Sequence, residues 1–556
     1  MKSKFVLKWN FNPTWLRVLI IVLLLLGIFF RFGNLDKKVY WFDEAFTSLR
    51  LSGYTEAEVV QQLSQTRVIG VEDLQKYQRI NPDKGLKDTI NSLALEDIQH
   101  PPLYYLIARF WMQLFGNSIA ASRSLTALIS LLALPCLYWL CLELFNSSSV
   151  GWIAIALMAI SPFHVLYAQE ARQYSLWTVT ILLSSVALLK ALQFQKKKSI
   201  ASKVSAWGIY AATVSLGLYT FPFSALVTLG HGVYIWILGR FQFTKTLGAY
   251  LIAVLSSFIS FIPWILVLIN NSSQFDKTLG WTNLTMSRLA WIRIWARSIS
   301  SPFIDFNVDS RTPWGLSLIF GMLFLLLFAL ICYAIYFLIR TTSKPRWLFI
   351  ITLIGVTGLA VVLPDLIIGG RRSTTARYLI PCFLGIQLAV AHLLAKKLSL
   401  INLNFRQKKL WQSVAIALFL GGVLSCAVSY PAEGWWHKSM SYSIPQAGRI
   451  INQASQPLVV SDASVADLLS LSYYLEPKVK LQVEPRCYTC HINSQVEDKP
   501  NLSNVAEGFS EVFLFKPRPS EAWLQALNQE QKYTVQPLYK GENGVLLWKL
   551  TSIAEL

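Results

Sequence analysis

Two adjacent acids, Asp43 and Glu44, stand in the run Tyr40-Trp41-Phe42-Asp43-Glu44-Ala45-Phe46. A carboxylate among aromatic rings is poorly solvated and prone to a shifted pKa, which suits proton transfer or cation coordination at a membrane surface. Taken alone, the pair reads equally as loop acids beside interfacial aromatics. Three further runs change the balance. Ser161-Pro162-Phe163-His164 precedes Gln169-Glu170-Ala171-Arg172-Gln173-Tyr174, and Gly369-Gly370-Arg371-Arg372-Ser373-Thr374-Thr375-Ala376-Arg377-Tyr378 carries three more arginines. The third is His100-Pro101-Pro102-Leu103-Tyr104-Tyr105. Any one arginine could simply anchor a helix end by snorkelling. As a set facing an acid-rich loop, these cations point to an anionic lipid-linked substrate. Arginine grips phosphate bidentately and stabilises it as a leaving group, while a carboxylate deprotonates an attacking hydroxyl or amine as a sugar carbon gains oxocarbenium character.

These residues need a membrane scaffold, and the composition supplies one. Of 556 residues, 54% are hydrophobic and 14% charged, with positive mean hydropathy, which is too apolar for a soluble core and fits a multi-span α-helical protein. The net charge of +20 would suggest nucleic acid in a soluble chain. Here the basic residues cluster between apolar runs, as cytoplasmic loops require, so no nucleic-acid partner is expected.

Lys2, Lys4, Lys8 and Arg17 precede an apolar run from about Val18 to Phe30 with no cleavage site after it, which predicts a retained first helix, a cytoplasmic N-terminus and an external Asp43. The external segment from Gly33 to His100 holds 11 of the 30 acids. Its Thr55-Glu56-Ala57-Glu58 capping box, and Leu86, Ile90 and Leu93 at helical spacing, predict two short amphipathic helices lying on the bilayer. The apolar stretch from Pro101 to Gly116 reaches only about 22 Å, short of a hydrocarbon core of roughly 30 Å, and is not expected to cross. Spans then fall at about 18–30, 119–144, 150–167, 172–194, 204–220, 222–239, 246–269, 313–339, 347–363, 377–395 and 410–429, about eleven in all. They carry their ionisable residues near their ends, unlike the spans expected of a transporter. The external loop 270–312 mixes Lys277, Arg288, Arg293 and Arg297 with Trp281, Trp291 and Trp295, the pattern of a basic amphipathic helix.

The expected domains are a transmembrane catalytic part, 1–430, and a small external α/β part, 431–556, where apolar runs shorten to strand length at 457–460, 479–483, 511–515 and 545–550. Helical patterns are expected near 466–474 and 520–528. The C-terminal part holds Cys487-Tyr488-Thr489-Cys490-His491, the spacing of haem c attachment. Only His437 and Met440, both upstream, could offer a distal ligand, so a disulfide or thiol pair is favoured over haem or zinc.

The chain resembles the large membrane glycosyltransferase family of GT-C fold that contains protein O-mannosyltransferases and the aminoarabinose transferase of lipid A. The matching residues are Asp43-Glu44, His100-Pro101-Pro102-Leu103-Tyr104-Tyr105, Ser161-Pro162, Gln169 to Tyr174, and Arg377-Tyr378-Leu379, in that order. The resemblance runs from the first span to about residue 395. It implies an inverting, single-displacement transfer from a polyprenyl-phosphate sugar in a bacterial plasma membrane, with Asp43 as the catalytic carboxylate and Glu44 and Glu170 as assisting acids. His100, Arg172, Arg371, Arg372 and Arg377 are the expected donor-phosphate contacts, although the lipid A transferases have a lysine where His100 stands. Tyr40, Trp41, Tyr104, Tyr105, His164, Gln169, Tyr174 and Tyr378 are expected around the substrate. Asp43 and Glu170 are also the acids that could hold a divalent cation. The acceptor, whether lipid, protein or glycan, is unassigned. A polymerase or ligase of lipid-linked glycans and a transporter or flippase of such lipids are the alternatives.

Overall fold

A computed structural model describes residues 14–64, 68–196, 199–308, 312–399, 404–490, 508–516, 533–541 and 544–552. Helices occupy all eleven positions expected of spans, and 103–115 forms a separate helix of 13 residues, Leu103–Phe115. Among the described residues, eight helices are long and apolar enough to cross a membrane, from Thr14–Phe32 to Phe405–Ser429, which makes this an integral multi-pass protein. A ninth is a bent pair, and Ile200–Thr220 and Ser224–Leu238 fill the remaining two positions.

The bent pair corrects the straight span expected at 150–167. Helix Ser148–Ala159 stops at its C-cap Ile160, and Pro162 at the first turn of Pro162–Ala168 restarts the chain at 60°. Proline has no N–H to donate and fits only a helix start, so the carbonyls before it lose their usual donors four residues on. The guanidinium of Arg31, fully buried, takes them up: Nη2 donates to Met158 O at 3.0 Å and Nη1 to Ala159 O and, at 2.8 Å, to Gly27 O. His231 likewise departs from the expectation that ionisable groups keep to span ends. It sits mid-helix in Ser224–Leu238, with its Nδ1 3.1 Å from Tyr210 Oη and its ring stacked on Phe349.

The chain divides into two compact units: residues 1–35, 123–266 and 279–431, and residues 36–122, 267–278 and 432–556. The C-terminal part, from residue 432, does not stand alone. It shares a core with the segment after the first helix, in which Ala45, Leu49, Val59, Leu63 and Leu74 pack with Ile444, Ala447, Val459, Leu469 and Leu481.

The second unit is built on a six-stranded sheet: β1 (Ile69–Gly70), β2 (Pro457–Ser461), β3 (Lys480–Val483), β4 (Glu511–Phe515), β5 (Tyr533–Gly541) and β6 (Gly544–Ser552), in the order β1-β3-β2-β4-β6-β5. β2 runs parallel to β3 and β4, while β1 pairs antiparallel with β3, Ile69 opposite Leu481. β5 was not legible in the sequence: Pro537 interrupts it, and the register shifts there, as an edge strand tolerates. The helix expected near 466–474 is Val465–Ser472; the one near 520–528 lies outside the described residues.

The capping box forms as expected, with Glu58 N donating to Thr55 Oγ1 at 3.1 Å and Thr55 N to Glu58 Oε2 at 2.9 Å. The two expected helices form as Glu56–Leu63 and Leu86–Glu96, the second with Leu86 exposed. Val59, Leu63 and Leu93 are buried inside the second unit, where each contributes about 1.5–3 kcal/mol.

Candidate functional site

In the second unit, Asp43 and Glu44 occupy the first turn of helix Phe42–Leu51, whose unpaired N–H groups and dipole favour negative charge. The two acids have different surroundings. Glu44 is fully buried and its Oε2 lies 2.7 Å from Nζ of Lys438, itself fully buried and donating also to Val39 O at 3.1 Å. Asp43 is half-exposed. The helix start is held from the C-terminal part at several points: Lys38 Nζ donates to Ala432 O at 3.3 Å, Val39 N to Glu433 O at 2.7 Å, Tyr40 N to Tyr474 Oη at 2.8 Å and Phe42 N to Ser441 Oγ at 3.0 Å. Tyr40 and Trp41 are buried, Tyr40 edge-on to Tyr473. Asp43 thus rides on a helix start fixed in both position and direction.

The Pro-Pro motif opens helix Leu103–Phe115. His100 Nδ1 lies 2.7 Å from Asp97 Oδ1, and Tyr104 and Tyr105 pack edge-to-face in the interior of the unit. From the same helix, buried Arg109 donates to Leu51 O at 2.5 Å, to Thr89 Oγ1 at 3.1 Å and to Lys84 O, tying the helix that carries Asp43 to its neighbours.

Behind Asp43 lies a buried charge network that sequence reading missed. Glu96 Oε2 accepts from Arg50 Nη1 at 2.5 Å and from Glu56 N at 2.6 Å, and Glu96 Oε1 accepts from Ala57 N at 3.0 Å. Glu56 in turn accepts from Tyr488 N and Thr489 N, both at 2.8 Å, and from Thr489 Oγ1 at 2.7 Å. Cys487 and Cys490 form a disulfide around that turn; His491 lies outside the described residues. Burial pushes the Glu56 carboxyl up to about 7 from 4.5, against the pull of its three donors. Because the folded pKa exceeds the unfolded one, the folded state holds this proton more tightly, and stability should fall as pH rises from about 4.5 to 7 and then level off. Thermal unfolding of Glu56→Gln across that window should lose this slope; an unchanged slope would assign it to other groups.

In the first unit, Gln169 closes the bend after Pro162–Ala168 by donating from Nε2 to Phe30 O and Gly33 O, both at 2.8 Å, so it caps the end of helix Thr14–Phe32. Glu170 and Arg172 follow, both buried, with Arg172 N donating to Glu170 O at 2.7 Å. His164 pairs through Nε2 with Gln387 Oε1 at 3.1 Å, and Gln387 Nε2 donates to Pro302 O at 3.2 Å. Tyr174 begins the next helix and lies under the Arg377 guanidinium, 5.3 Å from ring centre to Cζ. Tyr378 packs on Phe221 and Phe223.

The three arginines of the Gly369–Arg377 loop have distinct settings. Arg372 is bound by Asp365 Oδ1 at 3.1 Å, Gly369 O at 3.1 Å and Asn283 Oδ1, while Asp365 Oδ2 accepts from Ser373 N at 2.6 Å. That is a brace for the loop. Gly370, at φ +130°, allows it, since a Cβ would come within 2.6–2.9 Å of Arg372 Nη1, Thr282 O and Asp365 Oδ1. Arg371 instead lies over Trp281 at 5.7 Å with its backbone N donating to Thr282 O at 2.7 Å, and its buried Nε makes no hydrogen bond among the described residues. The basic amphipathic helix, Arg288–Ser300, meets this loop through Trp295 Nε1, which donates to Ser373 Oγ at 3.2 Å.

The expected site residues therefore divide between the units: Tyr40, Trp41, Asp43, Glu44, His100, Tyr104 and Tyr105 in one; His164, Gln169, Glu170, Arg172, Tyr174, Arg371, Arg372, Arg377 and Tyr378 in the other. Comparison with solved structures matches the chain to ArnT from Cupriavidus metallidurans in the apo state, at 15% identity and a TM-score of 0.51, covering 97% of this chain and 98% of that one. It also matches the archaeal oligosaccharyltransferase AglB from Archaeoglobus fulgidus, at 12% identity and a TM-score of 0.51, covering 98% of this chain and 75% of that one. The chain has the GT-C fold. The family model described as dolichyl-phosphate-mannose-protein mannosyltransferase matches residues 99–267. Within the GT-C scaffold that match takes in the His100 and Glu170 motifs and leaves out Asp43 and the Arg371–Arg377 loop. No curated protein matches the sequence. Lys438, Arg31 and Gln387 are the residues beside the expected ones that sequence reading missed. Only the aromatic flanks of Trp435-Trp436-His437-Lys438 hinted at a packed lysine.

Proposed function

We propose that the chain is an inverting glycosyltransferase that moves a sugar from a polyprenyl-phosphate donor to an acceptor on the external face of the membrane. The observation that carries this reading is the division of labour in the acid pair. Lys438 neutralises Glu44 inside the unit, so Glu44 fixes the helix start, and the half-exposed Asp43 beside it is the carboxylate presented to a reactant. A base on a rigid element is what a single displacement needs: Asp43 takes the proton of the attacking hydroxyl or amine, the new bond forms at the anomeric carbon, and the lipid phosphate departs with the bonding electrons. The resemblance gives Arg371, Arg377 and Arg172 as donor-phosphate contacts, and Arg372 braces their loop. The GT-C fold and the family-model match support a lipid-linked donor, and AglB is described in complex with a dolichol-phosphate. That relative transfers oligosaccharide by its name, so polymerisation or ligation of lipid-linked glycans is the second reading.

Arg371→Gln should weaken binding of free undecaprenyl phosphate by about tenfold to a hundredfold, the worth of one charged hydrogen bond, with thermal stability preserved. Arg372→Gln should instead lower the unfolding temperature through loss of the Asp365 brace. Equal phosphate affinity in Arg371→Gln and wild type would remove Arg371 from the donor site. EDTA followed by Mg²⁺ or Mn²⁺ in the transfer assay reads whether the carboxylates use a cation.

A further inference from the structure

The turn closed by Cys487 and Cys490 takes no part in the mechanism above, yet it is built with unusual care and lies beside the proposed base. Its two central amides and the Thr489 hydroxyl all converge on the buried carboxylate of Glu56. The disulfide clamps its ends, and Lys277 Nζ donates to Cys490 O at 2.6 Å. A four-residue turn held by a carboxylate, a covalent bridge and a lysine has little freedom left.

What this clamp fixes is Tyr488. The ring stands edge-on to Phe42, the residue before Asp43, at 5.8 Å between centres and 89° between planes, and it meets Phe46 at 6.5 Å. Phe42 and Phe46 themselves pack edge-to-face at 5.0 Å. Tyr488 nevertheless remains 41% exposed. A large ring anchored from behind on the helix of the base, and open in front, is a flat apolar surface with a polar tip. Burial, together with the charges of Asp43 and Glu56, raises the phenol pKa, so the hydroxyl keeps its proton and stays a donor.

We propose that Tyr488 is a sugar-stacking platform of the transferase site, presenting its ring to the C–H face of a pyranose and its hydroxyl to a sugar oxygen. The proposal rests on the glycosyltransferase reading and deepens it. The saccharide is either the donor sugar or a sugar of the acceptor, and its chemistry is the same in both cases. Glu56 and the disulfide are positioning groups, since they act only through Tyr488.

The test uses the full-length protein in nanodiscs. Binding of an undecaprenyl-phosphate hexose is compared with that of undecaprenyl phosphate alone, and KM is measured for donor and acceptor, for wild type, Tyr488→Ala, Tyr488→Phe and Cys487→Ser/Cys490→Ser. If the platform holds the donor sugar, Tyr488→Ala loses on the order of tenfold in affinity for the sugar-bearing lipid and none for the bare lipid phosphate, while Tyr488→Phe keeps most of it. If it holds the acceptor, donor binding is unchanged and the acceptor KM rises by a similar factor with kcat little altered. The double serine variant should show a smaller loss of the same kind. Transfer by wild type, abolished in Asp43→Asn, with Tyr488→Ala unchanged in both arms overturns this proposal and leaves the transferase reading standing. Absence of both sugar-dependent binding and transfer in wild type overturns the two together. A monodisperse elution profile for Tyr488→Ala, with its disulfide intact by mass, separates these outcomes from misfolding.

Discussion

Lys438→Met should destabilise the unit that carries Asp43 by about 3–5 kcal/mol, because it takes away the cation paired with a fully buried Glu44 carboxylate. The pair is fully buried on both sides at 2.7 Å, and Lys438 also holds Val39 O, three residues before the helix starts at Phe42. Breaking one partner of such a pair exposes the desolvation penalty of the other, whereas replacing both by apolar side chains of similar volume is often nearly neutral. The double variant Lys438→Met/Glu44→Met should therefore recover most of the lost stability. Thermal unfolding followed by tryptophan fluorescence, with limited proteolysis between residues 432 and 490, reads both. A single variant as stable as wild type would mean that the ion pair is not what fixes the helix start.

Asp43→Asn should fold and bind donor normally and lose two to four orders of magnitude in kcat. Asparagine keeps the shape and the helix start but accepts no proton, so the loss falls on the chemical step. Glu44→Gln provides the contrast. It removes the charge that answers Lys438, so its main effect should be on stability, with kcat per folded molecule changing far less. If Glu44→Gln retained full stability and lost as much turnover as Asp43→Asn, the division of roles between the two acids would have to be reversed.

These contrasts mark where sequence reading stops. Apolar run length located a helix at each of the eleven span positions, and the short reach of Leu103–Phe115 marked it as different, because hydrocarbon thickness acts locally on composition. The Thr55–Glu58 box was legible for the same reason: its two hydrogen bonds join residues three apart. The unit holding Asp43 was not, since its sheet pairs Ile69 with Leu481 and its ion pair joins Glu44 with Lys438, 394 positions away. No periodicity carries such a contact. Motif order grouped Arg371, Arg372 and Arg377 as one phosphate-binding set, but only the position of Asp365 shows that Arg372 braces the loop. The break at Pro162 was visible as a residue, while its consequence, two carbonyls taken up by Arg31, needed the neighbouring helix.

The most direct test of the account follows the lipid as well as the sugar. Purified protein is incubated with polyprenyl-phosphate hexoses labelled in the sugar, in the presence of a membrane extract of its host, and both products are counted. The account predicts that label leaves the donor, appears in an extract component, and is matched mole for mole by free polyprenyl phosphate, because the bond broken is the one between anomeric carbon and phosphate oxygen. Recovery of intact donor for every sugar tried, or movement of intact donor across the bilayer without release of polyprenyl phosphate, would contradict it.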